Sequence, residues 1–271
     1  MPLTDTHGPT LQGTFVQLLV RGLLAGLVAG LLAGAVAFVV GEPHIDSAIA
    51  IEEAAGADHA GADHAGADHT DAAPAVHSHG DEALVGRDGQ RVGLFLATGL
   101  AGLALGAIFA SALHYGRRFS SLPGSVLALV GAGAGWLAIE AVPFFKYPAN
   151  PPAVGDPETI TERTWLWLAT VILGLLAVAV GIYVAKVVAS HTSVAIRVGA
   201  PLLAFLVVVG IGYALLPTVN EVGADFPATL LWEFRLSSLA TQATLWLTLG
   251  LGFAFLTDRA VRPIRQDRVA A

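Results

Sequence analysis

Asp58-His59, Asp63-His64 and Asp68-His69 recur at intervals of five in a threefold Ala-Gly-Ala-Asp-His repeat, and His77 and His79 follow. Six of the nine histidines lie between His44 and His79. Neutral imidazole beside carboxylate is a donor set for borderline divalent metals such as Co2+, Ni2+ and Zn2+. A chain able to fold around an ion makes metal capture the favoured reading of His59, His64, His69, His77, His79, Asp58, Asp63 and Asp68. The plainer reading is a solvated spacer grown by repeat slippage. Capture would weaken as the imidazoles protonate near about pH 6.5. The period of five fits neither helix nor strand. From Ala55 to Asp81 the composition cannot bury a core, so disorder without ligand is expected.

A second set of donors lies outside the repeat: Glu42, His44, Asp46, Glu140, Asn220, Glu221, Asp225 and Gln242 are the candidates for a transport path. Glu140, in "GWLAIEAVPFF", stands inside an apolar run, where an ionisable group is costly and faces a cavity or a partner. It reads either as a path ligand or as an interfacial carboxylate paired with Lys146 or Arg163. Thr241, Gln242 and Thr244 would line a polar path or join helices by hydrogen bonds. Trp165, Trp167, Trp232 and Tyr147 read as interfacial anchors.

These residues are carried by a chain of 271 residues that is 55% hydrophobic and only 13% charged, a composition for a bilayer rather than for water. Crossing about 30 Å of hydrocarbon takes roughly 20 apolar residues. Six runs qualify: Thr14–Val40, Gly93–Leu113, Ser125–Phe145, Thr164–Ala189, Val198–Leu216 and Leu236–Leu256. They lack strand alternation and must satisfy their own backbone groups, so helices are expected. The first run is too long for a signal-peptide core and is kept in the mature protein. In it Gly22, Gly26, Gly30 and Gly34 share one face, and Gly102 and Gly106 repeat the spacing in the second run, which reads as close helix packing. After the first run, "GEPHIDSAIAIEEAAG" reads as a short amphipathic helix on the outer membrane surface, opened by Pro43 and closed by Gly56. The proline-rich stretch 140–164 and the stretch 216–242 read as shaped caps.

With both termini cytoplasmic, nine of the fourteen Lys and Arg residues face inward, in short loops where the positive-inside rule applies. Seventeen of the 21 acids then lie outside, together with the histidine-rich stretch. The organisation expected is a tail and first span over 1–40, an outer loop over 41–92, a five-helix bundle over 93–257 and a basic tail over 258–271. Without cysteine, neither disulfides nor thiolate ligands are available. No basic stripe supports nucleic-acid binding. No phosphate-binding G-x-x-x-x-G-K-[ST] loop, H-E-x-x-H or G-x-S-x-G motif is present, so neither an ATPase nor an intramembrane hydrolase is expected.

"VPFFKYPANPPAVGDPETI" and "LPTVNEVGADFPATLLWEFRLSSLATQ", with "GEPHIDSAIAIEEA" after the first span, resemble the CbtA family, the membrane subunit of a proposed bacterial cobalt transporter. The resemblance runs from the first span to the last. It implies cobalt uptake linked to cobalamin biosynthesis, together with a small single-span, histidine-rich partner of the CbtB kind. The family's outer motifs fall on Glu42, Asp46, Lys146, Asn150, Asp156, Asn220, Glu221, Asp225 and Arg235. Family members are often described with five spans; six are read here, and the AGADH repeat is an addition to the family pattern. The expectation is an all-α polytopic protein of the bacterial inner membrane that takes up a divalent metal, Co2+ before Ni2+ or Zn2+. The competing reading is a membrane-anchored metal-binding or sensing protein that moves nothing.

Overall fold

A computed structural model describes residues 10–62 and 86–270, with backbone alone for 55–62, 88 and 262–270. Among the described residues there is no strand, only an isolated bridge between Thr10 and Pro123. Helix α1 (Phe15–Val36) passes through a π turn (Ala37–Gly41) into α2 (Glu42–Ala62). Helix α3 (Arg87–Gly116) follows, and α4 (Gly124–Trp136) passes through a second π turn (Leu137–Ala141) into α5 (Val142–Lys146). Helices α6 (Ile160–Val187), α7 (Val194–Leu215) and α8 (Ala228–Ala270) complete the chain. Among the described residues six helices are long and apolar enough to cross a membrane, one for each run expected from the sequence. Large apolar side chains such as Leu24, Val28, Ile172, Leu206 and Leu251 stay exposed along them, as they must where the solvent is lipid.

The packing order differs from the chain order. Helix α1 packs on α3 and α8, α8 packs in turn on α4, and α6 packs on α7 and on the second π turn. This row places α8 between the two helices that carry π turns. The largest cluster of buried side chains, including Leu18, Phe109, Leu113, Leu249 and Phe253, ties α1, α3 and α8 together. Phe109 and Phe253 meet edge to face with centroids 5.5 Å apart.

The α1–α3 seam uses the glycines that the sequence set four apart. A Cβ on Gly22 or Gly26 would run into the backbone carbonyl of Gly106 or Gly102, and one on Gly30 into that of Thr98. Backbones this close gain dispersion contacts that larger residues would prevent, the main source of helix association in lipid. One end of the bundle is strapped by the segment before α1. Thr14 caps the helix by a reciprocal bond with Gln17, and the Arg117 guanidinium donates to the carbonyls of Leu11 (3.2 Å) and Gly13 (2.8 Å).

Three expectations need correction. The stretch after the first span is not a separate surface helix, because α1 continues into α2 without a break. Pro43 has no N–H for the carbonyl four residues back, and the π turn absorbs that gap: the Glu42 N–H bonds to the Ala37 carbonyl. Gly56 does not end the helix, which runs to Ala62 and so carries Asp58 and His59 on helical backbone. His64, His69, His77, His79, Asp63 and Asp68 lie outside the described residues. The last helix does not stop with the apolar run at Leu256; α8 continues through the basic tail to Ala270.

Candidate functional site

Glu42 opens α2 directly after the first π turn, with Asp46 one turn further. Both face the start of α3. Arg87 Nη2 lies 2.8 Å from Glu42 Oε2 and 2.7 Å from Asp46 Oδ1; Arg91 reaches the same two carboxylates at 3.4 and 3.1 Å. Glu42 is only 8% exposed, so the two guanidinium groups replace the water its carboxylate would otherwise bind. His44 Nδ1 stands 3.8 Å from Glu233 Oε2 on α8. Beside Glu42 opens a cleft of about 180 Å³ lined also by Ile45, Leu94, Ser237, Ser238, Thr241 and Gln242. The Ser237 and Thr241 hydroxyls donate to carbonyls of their own helix, which leaves their oxygens free to accept. Among the described residues the Gln242 amide has no hydrogen-bond partner.

Glu140 sits in the second π turn. Its Oε1 accepts from Trp246 Nε1 at 3.3 Å, and no cation lies within ion-pair distance among the described residues. The indole reaches it because Gly135 has no side chain: the Trp246 ring occupies the space a Cβ there would need. Lys146 and Arg163, the alternative partners expected from the sequence, are engaged elsewhere. Lys146 Nζ donates to the carbonyls of Tyr213 and Leu216, both at 3.0 Å, and Arg163 pairs with Glu221 at 3.2 Å.

The two acids, Glu42 buried and Glu140 half-buried, share a frame. Each π turn ends two residues before a proline, Gly41 before Pro43 and Ala141 before Pro143. In the second turn the Val142 N–H bonds to the Leu137 carbonyl, as Glu42 does to Ala37. Wide turns of this kind loosen the helical ladder and set a side chain off the regular 3.6-residue spiral. On α8, Ser238, Gln242 and Trp246 follow at intervals of four, each about 6 Å further along and about 40° further round. That drift carries the face from the Glu42 cleft toward Glu140. The sequence did not expose Arg87, Arg91, Ser237, Ser238 or Trp246 as partners. The one available signal was the repeated pairing of an acid with a proline, in "GEPH" and "EAVPFF".

The remaining candidates lie apart from this strip. Asn220 and Glu221 line a second cleft of about 290 Å³ with Tyr147, Asn150, Arg163, Trp167 and Arg235. Glu221 is used up by its surroundings: besides Arg163 it accepts from the Thr159 hydroxyl (2.5 Å) and the Asp156 N–H (3.2 Å). Asp156 accepts from the Glu158 N–H and caps the turn before α6. The Tyr147 hydroxyl donates to the Pro217 carbonyl at 2.7 Å, and burial with the Glu162 charge pushes the phenol above its ordinary pKa. Asp225 is exposed. Among the described residues no three His, Cys, Asp or Glu side chains converge on one point as a metal cage would require.

A family model described as "Probable cobalt transporter subunit (CbtA)" matches residues 15–258, from the first residue of α1 to deep within α8. No curated protein and no solved structure matches the chain. Six apolar helices make it a multi-pass membrane protein, and the match covers all of them. On that extent the chain belongs to the CbtA family of probable cobalt transporter subunits.

Proposed function

We propose that this subunit takes up Co2+ across the bacterial inner membrane to supply cobalamin synthesis, with a small histidine-rich single-span partner. The histidine-rich stretch after α2 concentrates the ion outside, and the strip from Glu42 and Asp46 along Ser238 and Gln242 to Glu140 passes it inward. The observation that carries this reading is a pair of acids at two π turns on helices that flank α8, Glu42 just after the first and Glu140 within the second. Sparse coordination suits transit: a site that holds an ion with many strong ligands cannot release it, whereas one acid with hydroxyl and amide oxygens admits it and lets it go. Arg87 and Arg91 neutralise the first acids when no ion is present, so an entering dication displaces guanidinium rather than meeting bare carboxylate. Asn220, Glu221 and Asp225 hold or flank the cap.

An inside-negative potential of 100 mV is worth about 4.6 kcal/mol for a divalent cation, enough to sustain a gradient of about three decades without ATP. Proteoliposomes holding the chain and its partner are therefore expected to accumulate Co2+ when a potassium diffusion potential is imposed, and to equilibrate without accumulation when it is absent. Binding without any uptake in either condition overturns transport in favour of a stationary metal-binding protein.

The orientation has its own test. Single cysteines at Ala60 and Ala75 are expected to react with a membrane-impermeant maleimide in intact cells, while one at Ser120 stays unlabelled until the cells are opened. The reverse pattern inverts the topology and removes the outer capture role.

A further inference from the structure

The cleft beneath the cap has an unusual balance of hydrogen-bonding capacity. Its side-chain carboxylate and amide oxygens each already accept a hydrogen bond: Glu221 from Arg163, Thr159 and the Asp156 N–H, Asn150 Oδ1 from Arg235 Nη2 at 2.9 Å, and Asn220 Oδ1 from the Val222 N–H at 3.4 Å. What remains is donor capacity. Arg163 Nε is buried with no hydrogen-bond partner. Arg235 donates only to neutral oxygens, the Ala149 carbonyl and the Asn150 amide, and meets no carboxylate within 4 Å among the described residues. The amide NH2 groups of Asn150 and Asn220 add further donors at the rim.

A guanidinium in a cleft at the edge of the membrane, without a counter-ion, is costly unless an anion completes it. A metal cation finds here a carboxylate already paired with Arg163 and a second guanidinium with no counter-charge. An oxyanion finds the free N–H groups of the planar Arg235 guanidinium and two amides, the arrangement that suits phosphate. The volume, about 290 Å³, exceeds what a phosphate group needs. A neighbouring hollow of about 270 Å³ shares Arg163 and Trp167 with this cleft and opens beside the exposed Ile160. A phosphate in the cleft would leave an ester substituent free to lie in that apolar hollow.

We propose that this cleft is a phosphate-binding site, with Arg235 as its principal ligand, the Asn150 and Asn220 amides completing the cradle and Arg163 adding positive charge at its wall. The phosphate comes either from an anionic lipid headgroup at the membrane surface or from solution. The site is separate from the metal path, and it stands or falls without it.

The test is the unfolding temperature of the detergent-purified full-length chain with three probes: dihexanoyl phosphatidylglycerol below its micellar concentration, the uncharged dihexanoyl glycerol, and inorganic phosphate against chloride at equal ionic strength. A saturable rise of about 5 °C with phosphatidylglycerol alone is expected for a lipid site, and the same rise with inorganic phosphate for a soluble ligand. Arg235→Gln should abolish the rise and Arg235→Lys should retain part of it. An equal rise with dihexanoyl glycerol, no rise with either phosphate probe, or an undiminished rise in Arg235→Gln overturns the proposal. Should Arg235→Gln fail to fold, the three-probe comparison on the unaltered chain decides alone.

Discussion

Glu140→Gln is expected to cut Co2+ uptake at limiting metal by about 10- to 150-fold while the protein accumulates normally in the membrane. A contact with a charged group is worth about 1.5–3 kcal/mol, and each 1.36 kcal/mol is a factor of ten. Glutamine keeps the size of the side chain and an Oε1 that still accepts from Trp246 Nε1, so the only observed partner of Glu140 is preserved. What disappears is the negative charge that an ion would meet at that depth. Among the described residues Glu140 has no cation to neutralise, so a purely structural role offers nothing for the amide to break. Uptake is read from proteoliposomes loaded with the variant, and folding from its unfolding temperature. Retained uptake sinks the assignment of Glu140 to the path. A large fall in unfolding temperature would mean that the carboxylate holds the π turn instead.

Glu221 makes the contrasting case. Both acids were legible as candidates because each is a carboxylate beside an apolar run, and nothing in the chain order separates them. Their surroundings do. Arg163, Thr159 and the Asp156 N–H converge on Glu221 from the start of α6 and the turn before it, about sixty residues away, a long-range meeting that local spacing does not encode. The same limit hid Arg87 and Arg91, which reach Glu42 and Asp46 from the far side of the histidine-rich stretch. The six spans were legible because about 20 apolar residues in lipid have no alternative to helix. The continuous α1–α2 helix was not: Pro43 at the end of an apolar run reads as a helix start, and only the π turn before it, an i→i−5 adjustment with no composition signal, lets the helix run through. Likewise the basic residues after Leu256, with Pro263 among them, suggested a tail, yet α8 continues through them to Ala270.

The α1–α3 seam shows sequence spacing translating directly into packing, and it yields the largest expected effect on stability. Gly102→Ala should destabilise the protein by about 1–3 kcal/mol, because the new Cβ falls on the Gly26 carbonyl and the Gly30 backbone, neither of which can move without parting the helices. No flexible side-chain tip is present to yield. Gly199→Ala on α7 is the matching control: its Cβ meets nothing within 4 Å, and α7 buries none of its residues in the chain's own fold. There the substitution only removes backbone freedom from the unfolded helix and should raise stability by up to about 1 kcal/mol. Both helices lie in lipid and both changes add one methyl group, so hydropathy alone would give the two variants the same sign. Opposite shifts in the unfolding temperature of the two purified variants are expected. Equal shifts would show that the α1–α3 backbones are not in contact. Because α1 also packs on α8, which carries Gln242 and Trp246, a parted seam should also lower uptake in Gly102→Ala.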